Sequence, residues 1–271
     1  MTEIAVLNDP NKTFEKQPQP QTAGVIPNNG YFNRIYGRNE QYDGEYKLSQ
    51  KLLAEFLGTA IFIYGVCSCN VFFSGDYINE ILGSSFICGA VIYIFGRISG
   101  AHFNPAVSLA LFIRKKLPAL ELLFYIISQI LGAFLGCVLV ALCRRGIFDD
   151  MNGIRIKDKE KVGWSYVIPF IYEFGGTFIL VMFVLSSCER NNYLGPALGL
   201  AYSSVYIGIN SFGGKLSVCS LNPVRALVPA IIQAMAGGNK DPIKQIWLYF
   251  VTPFIGAIGA AYTWPTFIYK S

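Results

Sequence analysis

Two asparagine-proline pairs carry the side chains with the most chemical information in this chain. Asn104-Pro105-Ala106-Val107 recurs as Asn222-Pro223-Val224-Arg225, and each copy opens a short apolar run. Asparagine is a favoured helix N-cap and proline a favoured first helical residue, so each motif reads as a helix start. From Asn104 to Ile113 is 10 residues. That is about 15 Å at 1.5 Å per residue, half the hydrocarbon thickness of a bilayer. A half-helix at mid-membrane is tolerated only where its free backbone groups are buried in protein or line a watery cavity. Two of them predict a re-entrant pair, with positive dipole ends and side-chain amides meeting around a pore.

Three charged residues belong to the same setting. Arg225 lies one turn into the second half-helix, where an unpartnered cation is costly, so it marks a pathway unless it snorkels to the surface. Glu55, in Ala54-Glu55-Phe56-Leu57-Gly58-Thr59, is matched by Glu173, in Tyr172-Glu173-Phe174-Gly175-Gly176-Thr177. Glu173 lies 118 residues after Glu55, and Asn222 lies 118 after Asn104. A shared offset for two separate motifs establishes an internal repeat, the hallmark of a pseudo-symmetric transport protein. Intramembrane carboxylates can relay protons, but one in each half at equivalent positions suits a scaffold better than a one-way relay. Bond-making chemistry is not expected. The single histidine, His102, has no nucleophile or metal-ligand cluster around it in the sequence, and the 7 cysteines have neither zinc nor disulfide spacing. No cofactor and no metal are expected.

The elements that must position these residues follow from composition. With 53% apolar residues, 14% charged and a mean hydropathy of +0.42, the chain belongs in a bilayer and not in water. Six runs are long enough, or nearly so, to cross as helices: about 49–73, 81–98, 118–142, 165–187, 194–212 and 244–268. The first lacks a basic n-region and cleavage site, so no removable signal peptide is expected. Residues 1–47 form a polar, proline-rich tail that buries too little apolar surface to fold alone. Its aromatics, Tyr31 and Tyr36 among them, could lie at headgroup level or plug a pore. Residues 48–142 form the first repeat, with its re-entrant loop at 99–113, and 165–268 the second, with its loop at 213–236. The connecting segment 143–164 carries mixed charge and reads as plain solvation. Gly132 with Gly136, and Gly195 with Gly199, have the spacing that lets helices approach closely. The net charge of +5 is spread over tail and loops, so no nucleic-acid partner is expected. With both termini inside, basic residues fall almost equally on the two sides, and orientation does not follow from charge.

The stretch Ser99-Gly100-Ala101-His102-Phe103-Asn104-Pro105-Ala106-Val107, with Asn222-Pro223-Val224-Arg225 and the paired Glu-Phe motifs, resembles the aquaporin (major intrinsic protein) family across about 48–268. The resemblance implies an all-α membrane protein of six transmembrane helices plus two re-entrant half-helices. It implies that Asn104 and Asn222 donate to a permeating molecule at the pore centre and that Arg225 is the donor of a narrow outer constriction. Counting from the two asparagines puts the other constriction positions at Ser84, Asn210 and Cys219. Water-selective members usually have an aromatic in place of Ser84 and histidine in place of Asn210, so this filter reads as wider and polar. Ala226, where glycerol-conducting members carry aspartate, and Tyr249-Phe250 in the last span point back to water. Val224 departs from the usual Asn-Pro-Ala at a packing position. Glu55 and Glu173 would brace the re-entrant loops, and His102 would line or brace the inner vestibule or act as a pH switch. Cys219 would place a thiol beside the pore, open to mercury. The expected function is passive flow of water, with glycerol or urea as alternative permeants and an ion-coupled transporter as a remote one. Family resemblance alone implies homotetramers in a lipid bilayer, in the plasma membrane or an intracellular vesicle membrane, with both termini cytoplasmic. Gating by the tail or by the loop around Tyr193 stays open.

Overall fold

The computed structural model describes residues 46–73, 76–144, 148, 153, 166–189, 197–217 and 219–268. Every regular element among them is helical. The first half contains α1 (Leu48–Phe72), α2 (Tyr77–Ser99), α3 (Pro105–Ile113) and α4 (Ala119–Cys143). The second contains α5 (Val167–Glu189), α6 (Leu198–Ser217), α7 (Pro223–Met235), the single turn α8 (Asp241–Lys244), α9 (Ile246–Thr263) and the single turn α10 (Pro265–Ile268). Five of the long helices are both long and apolar enough to cross a membrane. The sixth, α6, has the length, 20 residues, but dilutes its apolar character with serines and glycines. Leu53, Ile78, Leu131, Leu142 and Tyr262 remain exposed on the outside of the bundle, as befits helices solvated by lipid.

The two halves pack alike. Helix α1 lies on α2 and α4, α5 lies on α6 and α9, and α2 meets α6 between the halves. Each short helix touches the last long helix of both halves: α3 packs on α4 and α9, and α7 on α9 and α4. Close approach depends on glycine. A Cβ at Gly132 on α4 would overlap the Phe56 carbonyl of α1, and one at Gly256 on α9 would come within 2.7 Å of the Phe174 carbonyl of α5. Gly136 and Gly199 likewise face neighbouring backbone, while Gly195 lies outside the described residues.

Three boundaries differ from those expected of the sequence. Helix α2 starts at Tyr77 instead of 81, because Asp76 caps it by accepting from the Asn79 amide at 3.2 Å. Helix α6 runs on to Ser217, so the second re-entrant loop begins there and not at 213. The last span breaks at Trp264, between α9 and α10. The connecting segment is also more than solvated charge. Phe148 packs against the core, and buried Gly153 donates its amide to Gln233 Oε1 at 3.0 Å, which ties the segment to α7. The rest of that segment, like the tail, lies outside the described residues.

Candidate functional site

The loops ahead of α3 and α7 are organised by the two buried glutamates. Glu55 Oε1 accepts from Ser99 Oγ at 2.6 Å and the His102 amide at 2.9 Å. Its Oε2 accepts from the Phe103 amide at 2.9 Å and Gln129 Nε2 at 2.8 Å. Glu173 repeats the plan: Oε1 accepts from Ser217 Oγ at 2.8 Å and the Ser220 amide at 2.7 Å, and Oε2 from the Leu221 amide at 2.9 Å. A carboxylate with no exposed surface survives in a bilayer only if its oxygens are saturated in this way.

Such bonds hold the backbone in an unusual shape. Ala101 and Phe103 have φ of 49° and 48°, and their repeat partners Cys219 and Leu221 have 43° and 54°. A left-handed non-glycine residue costs about 1–2 kcal/mol, and here the glutamate bonds on neighbouring amides over-determine it. Space for the bend comes from the glycine one turn after each glutamate. A Cβ at Gly58 would overlap the Phe103 ring, and one at Gly176 would come within 2.7 Å of Leu221.

The bend brings the two asparagines together. Asn104 Oδ1 caps α3 by accepting from the Ala106 amide at 2.9 Å, and its Nδ2 crosses to the Leu221 carbonyl at 2.8 Å. Asn222 Oδ1 caps α7 by accepting from the Val224 amide at 3.0 Å, and its Nδ2 crosses to the Phe103 carbonyl at 2.8 Å. Each amide thus clasps the residue that precedes the other asparagine. The N-termini of α3 and α7, with their positive dipole ends, point at one place in the interior.

On the Arg225 side of this clasp lies a cavity whose wall includes Ser84, Asn210, Cys219 and Arg225. The three positions reached by counting from the asparagines share it with Arg225. Arg225 is 3% exposed. Asn210 Nδ2 is turned back to the Tyr206 carbonyl at 2.9 Å. Ser84 Oγ is buried and has no hydrogen-bond partner among the described residues. The Cys219 thiol lies 3.9 Å from the Ile209 carbonyl. Asn70, Tyr77 and Glu80 are among the further wall residues that escaped the sequence reading. Glu80 carried a signal, standing four residues before Ser84 and so on the same helix face. Tyr77 carried none, since its hydroxyl bond to the Asn210 carbonyl at 2.5 Å spans the two halves.

His102 lies on the other side, buried, with Nδ1 3.0 Å from Ser108 Oγ and its ring 5.1 Å from that of Tyr125. Gln129, which also donates to Ser108 Oγ at 3.1 Å, completes this cluster. Tyr31, Tyr36 and Tyr193, the residues considered as gates, lie outside the described residues. No group of histidine, cysteine and acidic residues suited to hold a metal occurs among the described residues.

Residues 44–264 match the major intrinsic protein family. Aquaporin NIP3-1 of Arabidopsis thaliana is 33% identical over 230 residues, covering 79% of this chain and 66% of the plant protein's length. Glycerol uptake facilitator protein-like 6 of Lactiplantibacillus plantarum is 31% identical over 218 residues, covering 79% of this chain and 95% of the bacterial protein. The X-ray structure of the aquaglyceroporin from Plasmodium falciparum aligns with a TM-score of 0.68 at 20% identity, covering 82% of this chain and 97% of that one. At that identity the likeness concerns the fold. With two glutamate-braced loops clasped tip to tip and a family match over most of its length, the chain belongs to the major intrinsic protein family of non-enzymatic membrane channels.

Proposed function

We propose that this protein is a passive, bidirectional channel that conducts water down an osmotic gradient and excludes ions and protons. The observation that carries the reading is the asparagine clasp, which sets two helix N-termini against one another inside the bundle. Each Asn amide nitrogen has one hydrogen engaged by a carbonyl and a second with which to donate to a passing molecule. The converging dipoles of α3 and α7 oppose cations at that point, and Arg225 opposes them again at the constriction. No bond is made or broken, and no cofactor is required.

A second reading, permeability to small neutral solutes, is favoured by the wall around Arg225. An unpartnered serine hydroxyl at 84 and an amide at 210 make that wall polar where an aromatic would make it narrow. Similarity to a glycerol uptake facilitator supports the same reading. In the cell we place the protein in the plasma membrane or a vesicle membrane, as a homotetramer with both termini cytoplasmic, on the strength of its family.

Stopped-flow light scattering on reconstituted vesicles tests both readings. Water flow should show a low activation energy and no dependence on ion gradients, and glycerol and urea should follow more slowly. Flow that requires an ion gradient would overturn the channel. Inorganic mercury should block it reversibly, and Cys219→Ser should abolish the block; a mutant that stays sensitive removes Cys219 from the pathway.

A further inference from the structure

The cavity beside Arg225 holds a carboxylate that the permeation scheme above does not use. Glu80 stands one turn before Ser84 on α2, and both face the space shared with Asn210 and Arg225. It is 8% exposed. Its place in the first turns of α2, after the Asp76 cap, suits a negative charge. Burying a carboxylate in a membrane protein is costly, and by default marks a working group. The repeat gives no structural reason for it: the position 118 residues later is Leu198, a buried apolar residue.

The neighbouring groups show what it could do. Asn210 commits one Nδ2 hydrogen to the Tyr206 carbonyl, and the Tyr77 hydroxyl is spent on the Asn210 main-chain carbonyl. Beside Arg225 the wall also brings together residues with acceptors: Asn210 Oδ1, Ser84 Oγ and the Glu80 oxygens. Water can turn to satisfy itself in single file. A polyol or urea cannot, because it carries several O–H or N–H donors that need acceptors at once while its own oxygen faces a donor. We propose that Glu80 is a specificity-determining residue, accepting hydrogen bonds from the donors of small neutral polyols and ureas as Arg225 donates to their oxygen. The proposal rests on the channel reading above and adds its solute class.

The test compares wild type, Glu80→Leu and Glu80→Gln in reconstituted vesicles, with water, glycerol and urea flux read for each. Glu80→Leu should lower glycerol and urea permeability about fivefold for each hydrogen bond lost and leave water within about twofold. Glu80→Gln retains a neutral acceptor, a weaker one, and should fall between leucine and wild type. A solute-to-water ratio unchanged in both variants, or one raised by leucine, overturns the assignment. If leucine at 80 also abolishes water flux, the glutamine ratio decides. Wild-type vesicles that pass water but neither solute overturn the role of Glu80 and leave the water channel standing. Wild-type vesicles that pass none of the three overturn both.

Discussion

Glu55 accepts four hydrogen bonds where Glu173 accepts three among the described residues, and the difference traces to one helix position. Gly132 and Gly256 make equivalent contacts with α1 and α5. In that register Gln129, the fourth donor to Glu55, is answered by Pro253, which has no side-chain donor. The same contrast continues along the loops. Ser108, bonded to Gln129 and His102, is answered by Ala226; Val107 is answered by Arg225; and Glu80 is answered by Leu198. One half puts its polar groups into bracing a loop. The other leaves its loop less tied and carries the cation that meets the cavity, opposite the Glu80 carboxylate of the first half. Symmetry thus builds the frame, and departures from it set the bracing of the loops and the charge at the cavity apart in the two halves.

Removing each glutamate should have the largest effect and should rank the halves. Every buried donor left without a partner costs about 1–3 kcal/mol, so Glu55→Ala should lose more stability than Glu173→Ala, and both should lose several kcal/mol. Thermal unfolding in detergent measures it. A larger loss at 173 would mean that the count of bonds does not set the difference. Next in size, Arg225→Val makes the second loop resemble the first. Glycerol flux should fall roughly tenfold as the donor to its oxygen is lost, equivalent to about 1.4 kcal/mol added to its barrier, while water changes little. Unchanged selectivity would move the filter elsewhere. The smallest effect separates two tyrosines in equivalent places. Tyr125 donates to the Ser99 carbonyl at 2.9 Å, and Tyr125→Phe should cost about 1 kcal/mol. The Tyr249 hydroxyl has no partner among the described residues, and Tyr249→Phe should be neutral in the same melting assay.

Much of the frame was legible because its signals are local or repeated. An Asn-Pro pair before a short apolar run is a half-helix by capping chemistry alone, and a common 118-residue offset joins Glu to Asn in each half. What stayed hidden depends on distant neighbours. Gly213-Gly214 reads as the end of a helix, yet α6 continues to Ser217. A Cβ at Gly213 would come within 2.6 Å of the Cys219 sulfur, and one at Gly214 within 2.5 Å of the Tyr77 hydroxyl, so these glycines make room and do not stop the helix. The left-handed Phe103 and Leu221 are likewise unreadable, since neither residue favours that conformation and only the glutamate bonds hold it. Gly153 was read as part of a solvated segment because its amide bond to Gln233 joins residues 80 apart in sequence.

The clasp also has a consequence for how the molecule comes into being. Asn104 needs the carbonyl of Leu221, and α3 needs the flank of α9, both made long after α3 itself has left the ribosome. Until then the early half-helix has neither of these supports. Neither repeat can complete its own loop in isolation, so the two must mature as a unit, and a truncated product would expose unpaired polar backbone to the surveillance machinery of the membrane.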